Sequence, residues 1–211
     1  MSKYLILKNN SNQTLVYYPV PKNANTSAKL FIAKHLKIDD RFIFIGDKIP
    51  RYLQKREDLQ SKESIVRFLP SKQKFKKVNA DFKCCIVRNP IKRFLSAYKN
   101  RILYHKDKLF YNHSIDQILE KLTQRSFENP HFLPQVYFLG NDIEYYNFYC
   151  DVDEINKFEI FINNFFNQKI NFPKIQTGST KEDIILTKKQ IKQLEEIYEE
   201  DFKLVSSLKN N

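Results

Sequence analysis

The stretch FKCCIVRNPIKRFLSAYKNRIL, residues 82–103, constrains the fold of this chain more than any other. FKCCIVR (82–88) is a short apolar run with the length of a buried strand. Asn89 follows as a helix cap and Pro90 takes the first helical position, where a missing N–H removes no hydrogen bond. Ile91, Phe94, Leu95, Tyr98 and Ile102 then recur at helical spacing and give that helix one apolar face. Lys92, Ser96 and Lys99 share another side of it, beside the loop that Arg88 enters.

The same plan occurs earlier, in YYPVPKNANTSAKLF (17–31). An apolar run passes through two prolines into small polar residues between Lys22 and Lys29, and a helix is expected from Asn25 or Thr26 onward. Such a junction aims free backbone N–H groups and the positive end of a helix dipole at one point, with the hydroxyls of Thr26 and Ser27 nearby. It suits an anion of phosphate size. The loop has no glycine and no Gly-Lys-Ser/Thr ending, which disfavours a Walker-type kinase. A plain Thr or Asn cap in a loop that binds nothing fits the same residues, and the loop alone does not separate the two.

Further along, RFIFIG (41–46) is expected as a second strand ending at Gly46 and Asp47, residues 113–123 as a helix, IEYYNFYC (143–150) as a strand and residues 153–166 as a helix. Thr187 and Gln190 have capping-box spacing at the start of a closing helix marked by Ile191, Leu194, Ile197, Tyr198 and Phe202. Strands alternating with helices predict an α/β fold, a central parallel sheet covered by helices on both faces, with ligands at the carboxyl ends of the strands. At 211 residues the chain has room for one domain, 1–211, with a full core.

The formal charge of +12 points to acidic partners. Residues 71–108 carry twelve Lys or Arg against two Asp, so nearly the whole excess lies in one stretch, around Arg88. Cys84, Cys85 and Cys150 have neither a metal-ligand spacing nor an even disulfide framework and are read as reduced core residues; no metal is expected. Neither a signal peptide nor an apolar run of membrane-spanning length is visible, and a cytoplasmic location is the simplest expectation.

VPKNANTSAK and CCIVRNPIKRFLSAYKNRI resemble the 5′-phosphosulfate loop and the 3′-phosphate motif of the PAPS-dependent sulfotransferases, in particular the carbohydrate sulfotransferase branch called family 2. NPHFLPQ (129–135) is similar to that branch's His-aromatic-x-Pro-Gln segment. The run from Ile175 to Val205 is similar to its final nucleotide loop and closing helix, including Tyr198, Asp201 and Phe202. TGST stands where the branch has an Asn-Ser type of sequence, and Phe132 where it often has Trp.

The resemblance implies a P-loop-NTPase-like three-layer fold and transfer of a sulfuryl group from PAPS to a hydroxyl or amine of a glycan or other acceptor, releasing PAP. It places Lys22 at the 5′-phosphosulfate, with Asn23, Ala24, Asn25, Thr26 and Ser27 around the 5′-phosphate. Arg88 and Ser96 fall at the 3′-phosphate, and Thr177, Ser179 and Thr180 in the loop that closes over the nucleotide. The acceptor must lose a proton, so a base is required near the sulfur; His131 is the first candidate and Asp47, at the end of the expected second strand, the other. For His131 an acceptor-orienting or structural role competes with the base role. A polyanion- or nucleic-acid-binding module and a degenerate P-loop nucleotide kinase remain as alternatives, the first on charge alone and the second without a magnesium-binding set that can be placed.

Overall fold

The computed structural model describes residues 4–37, 67–68, 75–108, 110–126, 129–173 and 183–207. RFIFIG, Asp47, Thr177, Ser179 and Thr180 lie outside the described residues. The sheet has five strands: β1 (Leu5–Lys8), β2 (Thr14–Tyr18), β3 (Arg67–Phe68), β4 (Phe82–Val87) and β5 (Phe148–Asp151), in the order β3-β1-β2-β4-β5. β2, β4 and β5 run parallel, with Tyr18 opposite Cys85 and Cys85 opposite Tyr149. β1 is antiparallel to both β2 and β3.

The parallel sheet expected from the alternation is therefore the half that carries the strand-to-helix loops, and a hairpin extends it. That hairpin turns on Asn9, whose side-chain oxygen accepts from the N–H groups of Ser11 and Gln13. A four-residue strand beside an asparagine-rich turn has too few alternating positions to stand out in the sequence.

Helices cover both faces. α1 (Asn25–His35) and α5 (Ile155–Phe166) pack Ala28, Phe31, Phe158 and Ile162 against Leu15, Tyr17, Cys84 and Ile86. On the other face, Phe138 of α4 (Val136–Leu139) and Leu204 of α7 (Glu199–Ser206) meet Val16, Tyr18, Cys85 and Val87. Successive strand residues thus enter opposite cores, which is why FKCCIV reads as a continuous apolar run rather than an alternating one. α2 (Pro90–Tyr98), α3 (Ile115–Thr123) and α6 (Lys188–Ile197) enclose a third apolar cluster around Phe94, Ile118, Phe132 and Leu194. All three cysteines are free and buried. Among the described residues no helix is long and apolar enough to cross a membrane.

The caps follow the sequence closely. Asn89 Oδ1 accepts from Lys92 N at 3.1 Å with Pro90 behind it, and Thr187 and Gln190 form a reciprocal capping box. Three expectations are corrected. The helix after Asn89 stops being α-helical at Tyr98 and continues as a π-helical turn, Lys99–Tyr104, in which His105 N reaches back to Asn100 O. Residues 143–145 form a 3₁₀ turn before β5, because the Tyr145 hydroxyl is held by the backbone of Val78 and by Tyr18. The closing helix breaks at Tyr198, between α6 and α7.

Candidate active site

Beyond Tyr18 the chain leaves the sheet through Pro19 and Pro21 and enters α1 across two residues in the left-handed region, Lys22 at φ 72° and Ala24 at φ 52°. A glycine would adopt these angles freely; here side chains do so at a cost of ~1–2 kcal/mol each. The N-cap is Ala24, with no side-chain cap and no acid in the first turn. The Thr or Asn cap that the sequence also allowed is therefore not what the chain builds. The first helical bond runs from Ala28 N to Ala24 O, so the N–H groups of Ala24, Asn25, Thr26 and Ser27 have no helical acceptor. Thr26 is partly buried and Ser27 buried beside them.

Asn23 behaves differently from its neighbours. Its N–H bonds to Val20 O, and its fully buried amide donates to Ile86 O at 2.9 Å and to Gln135 Oε1 at 2.6 Å. It braces the loop from behind.

Arg88 leaves the end of β4 and donates through Nη1 to Lys22 O at 2.9 Å, which joins the two loops directly; its Nε has no partner among the described residues. Ser96 stands partly buried on α2, and Lys92 on the same helix is exposed and paired with Asp153 at 2.7 Å. Three side chains complete the surroundings. Arg93, 1% exposed, donates to Pro21 O and Leu133 O. Arg101, on the π-helical turn, is forked onto Asp107. His131 is partly buried, and its Nδ1 is without a partner among the described residues.

Segment 131–136 is pinned from below: Tyr198 Oη donates to Phe132 O at 2.6 Å, and the buried Asp201 carboxylate accepts from Gln135 N at 2.7 Å and Val136 N at 2.9 Å. The Tyr198-to-Asp201 spacing noted in the sequence is thus the grip on this segment.

A family model described as Sulfotransferase family matches residues 7–205, nearly the whole chain. The chain belongs to the sulfotransferase family. Neither a search of curated proteins nor one of solved structures gave a match. The family implies the P-loop-like layering that the sheet and its helices display, and transfer of a sulfuryl group as its general reaction.

In this sulfotransferase the electrostatics converge on Lys22. Burial, and then the cations Arg88, Arg101 and Arg93, push its ammonium down to about 8. Among the described residues, every charged group that acts on it is positive. Burial and the charges of Arg101, Lys22 and Arg93 push His131 down to about 4, with Asp107 opposing weakly. His131 is therefore neutral at pH 7, able to accept a proton and a weak base until an anion offsets the cations around it. Arg88 feels burial first and then Asp153 and Asp151, which favour its charge.

Arg93, Arg101 and Gln135 are the residues that sequence reasoning did not single out as functional. Arg101 lay on an expected α-helix whose π-helical turn changes its direction, and the partners of Arg93 are backbone carbonyls distant in sequence.

Proposed function

We propose that this sulfotransferase takes its sulfuryl group from PAPS and delivers it to a hydroxyl or amine of a glycan or another acceptor, releasing PAP. One observation carries the reading: a half-buried lysine at an uncapped helix N-terminus, on which the charged groups acting among the described residues are all cations. Burying like charges together is unfavourable unless a ligand of opposite sign completes the site. Arg88 Nε, without a partner among the described residues, and the N–H groups of Ala24 to Ser27, which have no helical acceptor, are donors that oxyanions accept from, so the residues present fit a nucleotide with phosphates at both ends.

The donor supplies a sulfuryl group on a phosphosulfate bridge, and the chain positions it and absorbs charge. The N–H groups of Ala24, Asn25, Thr26 and Ser27, with the Thr26 and Ser27 hydroxyls, hold the 5′-phosphate, while Asn23 keeps the loop in shape. Arg88 and Ser96 hold the 3′-phosphate. Lys22 neutralises the charge that gathers on the bridging oxygen as its bond to sulfur breaks. His131 takes the proton from the acceptor as its oxygen or nitrogen bonds to sulfur. Asp47 is the other candidate for that role, and Thr177, Ser179 and Thr180 close over the nucleotide in this reading. A polyanion-binding module is a poorer fit, because such a surface spreads its cations in solvent rather than burying them at strand ends and helix starts.

Incubation with PAPS and a panel of glycans and small hydroxylated or amino compounds tests the reading. A sulfated product by mass, with PAP formed in equal amount, is the expected result. PAP that never forms with any acceptor, together with a chain that does not bind PAPS, contradicts it.

A further inference from the structure

On the side facing β2, strand β4 loses its neighbour early. Tyr18 opposite Cys85 is the last β2 pair, while Ile86 and Val87 still pair with Cys150 and Asp151 of β5. Two buried side-chain amides take over the vacated ladder. Asn23 Nδ2 serves Ile86 O, and Gln135 serves Arg88 in both directions: Oε1 accepts from Arg88 N at 3.0 Å and Nε2 donates to Arg88 O at 2.8 Å. The Gln135 amide thus makes the paired exchange that a residue of an adjacent antiparallel strand makes. The same Oε1 accepts from Asn23 Nδ2 at 2.6 Å, and both Asn23 and Gln135 are fully buried. One primary amide therefore ties the loop that carries Lys22 to the loop that carries Arg88.

We propose that Gln135 is a positioning residue that sets the span between the two phosphate loops, so that a nucleotide phosphorylated at both ends is held as one ligand rather than at two independent sites. The proposal rests on the PAPS reading above. Gln135 is itself fixed, since its N–H is held by Asp201 and its carbonyl accepts from the N–H groups of Phe138 and Leu139. Its place in the fold is rigid, and through its side chain Asn23 and Arg88 inherit that rigidity. A ligand with one phosphate senses one loop only. A bisphosphate gains from the second loop through the high effective concentration of its second phosphate, and that gain depends on the separation being held. Removing the amide leaves Arg88 N and O without their partner and lets the loops relax separately.

The test compares parent and Gln135→Met, an apolar side chain of similar size, by calorimetry with PAP, 5′-AMP and 3′-AMP. PAP affinity should fall about tenfold or more while each mononucleotide stays within about threefold of the parent. Equal loss for all three ligands, or no loss for PAP, overturns the positioning role. Should Gln135→Met fail to fold by thermal melting, Asn23→Ser decides: it removes the links to Gln135 and to Ile86 O and leaves Gln135 on Arg88, so PAP affinity should fall several-fold more than 5′-AMP affinity while 3′-AMP stays within about threefold, and an equal fall for PAP and 5′-AMP overturns the role. A parent that binds PAP no better than 5′-AMP overturns the donor reading, and this proposal with it. A parent that prefers PAP, with variants that keep that preference unchanged, overturns the role of Gln135 alone.

Discussion

Lys22 carries two penalties in the free protein, a left-handed backbone and an ammonium pushed down to about 8 by burial and three arginines. Between pH 8 and its ordinary 10.5 the unfolded chain keeps a proton that the folded one has released. Stability therefore rises with pH across that window, and the penalty is full below 8. A bound anion relieves it. PAP affinity should accordingly be flat in Lys22 below pH 8 and fall above it, and Lys22→Met should lack that fall; calorimetry against pH checks both. Lys22→Ala should lower turnover by about a hundredfold or more and PAP affinity by less, since the charge it meets develops in the transition state. His131→Ala should lower turnover by about two to four orders of magnitude with PAP affinity intact. In the parent the acid limb of kcat/KM, which reports the free enzyme, should lie near the His131 value of about 4, and that of kcat higher, because the bound anion offsets the surrounding cations. A limb that persists in His131→Ala and vanishes in Asp47→Asn assigns the base to Asp47.

The site is assembled by element ends, and these differ in how readable they were. Asn89, followed by Pro90, and the pair Thr187 and Gln190 act through side chains on N–H groups three residues away, so their roles are written in local sequence. Ala24 is the opposite case: nothing in its side chain announces φ 52°, which the path from β2 into α1 imposes. Replacing it by glycine should remove that strain and stabilise the fold by about 1 kcal/mol, read as a higher denaturation midpoint at unchanged slope. A lower midpoint contradicts the strained-loop account. The π-helical turn was equally hidden, since apolar spacing through Ile102 suits an ordinary helix. Its consequence is Arg101, whose charge lowers both Lys22 and His131. Arg101→Gln should raise the pKa of His131, followed by its ring-proton titration, and the direction is fixed by the loss of a cation beside a base.

Across the whole molecule, the layers were legible because strands buried on both faces and amphipathic helices each leave a strong pattern, as in FKCCIV and the face from Ile91 to Ile102. The braces were not, because they join residues far apart in the chain through single hydrogen bonds: Asn23 to Gln135, Gln135 to Asp201, Arg93 to Pro21 and Leu133. Only the resemblance in NPHFLPQ and in the Tyr198-to-Asp201 spacing hinted at them. Together they tie the Lys22 loop to the Arg88 loop within a chain of net charge +12, so on the proposed function a bisphosphate nucleotide should both bind and stabilise the fold, more so at low salt. The most direct measurement is the affinity of the parent for PAP against 5′-AMP, with Arg88→Ala alongside. PAP should bind on the order of a hundredfold tighter, and Arg88→Ala should remove most of that difference; equal affinity of the parent for the two nucleotides contradicts the account.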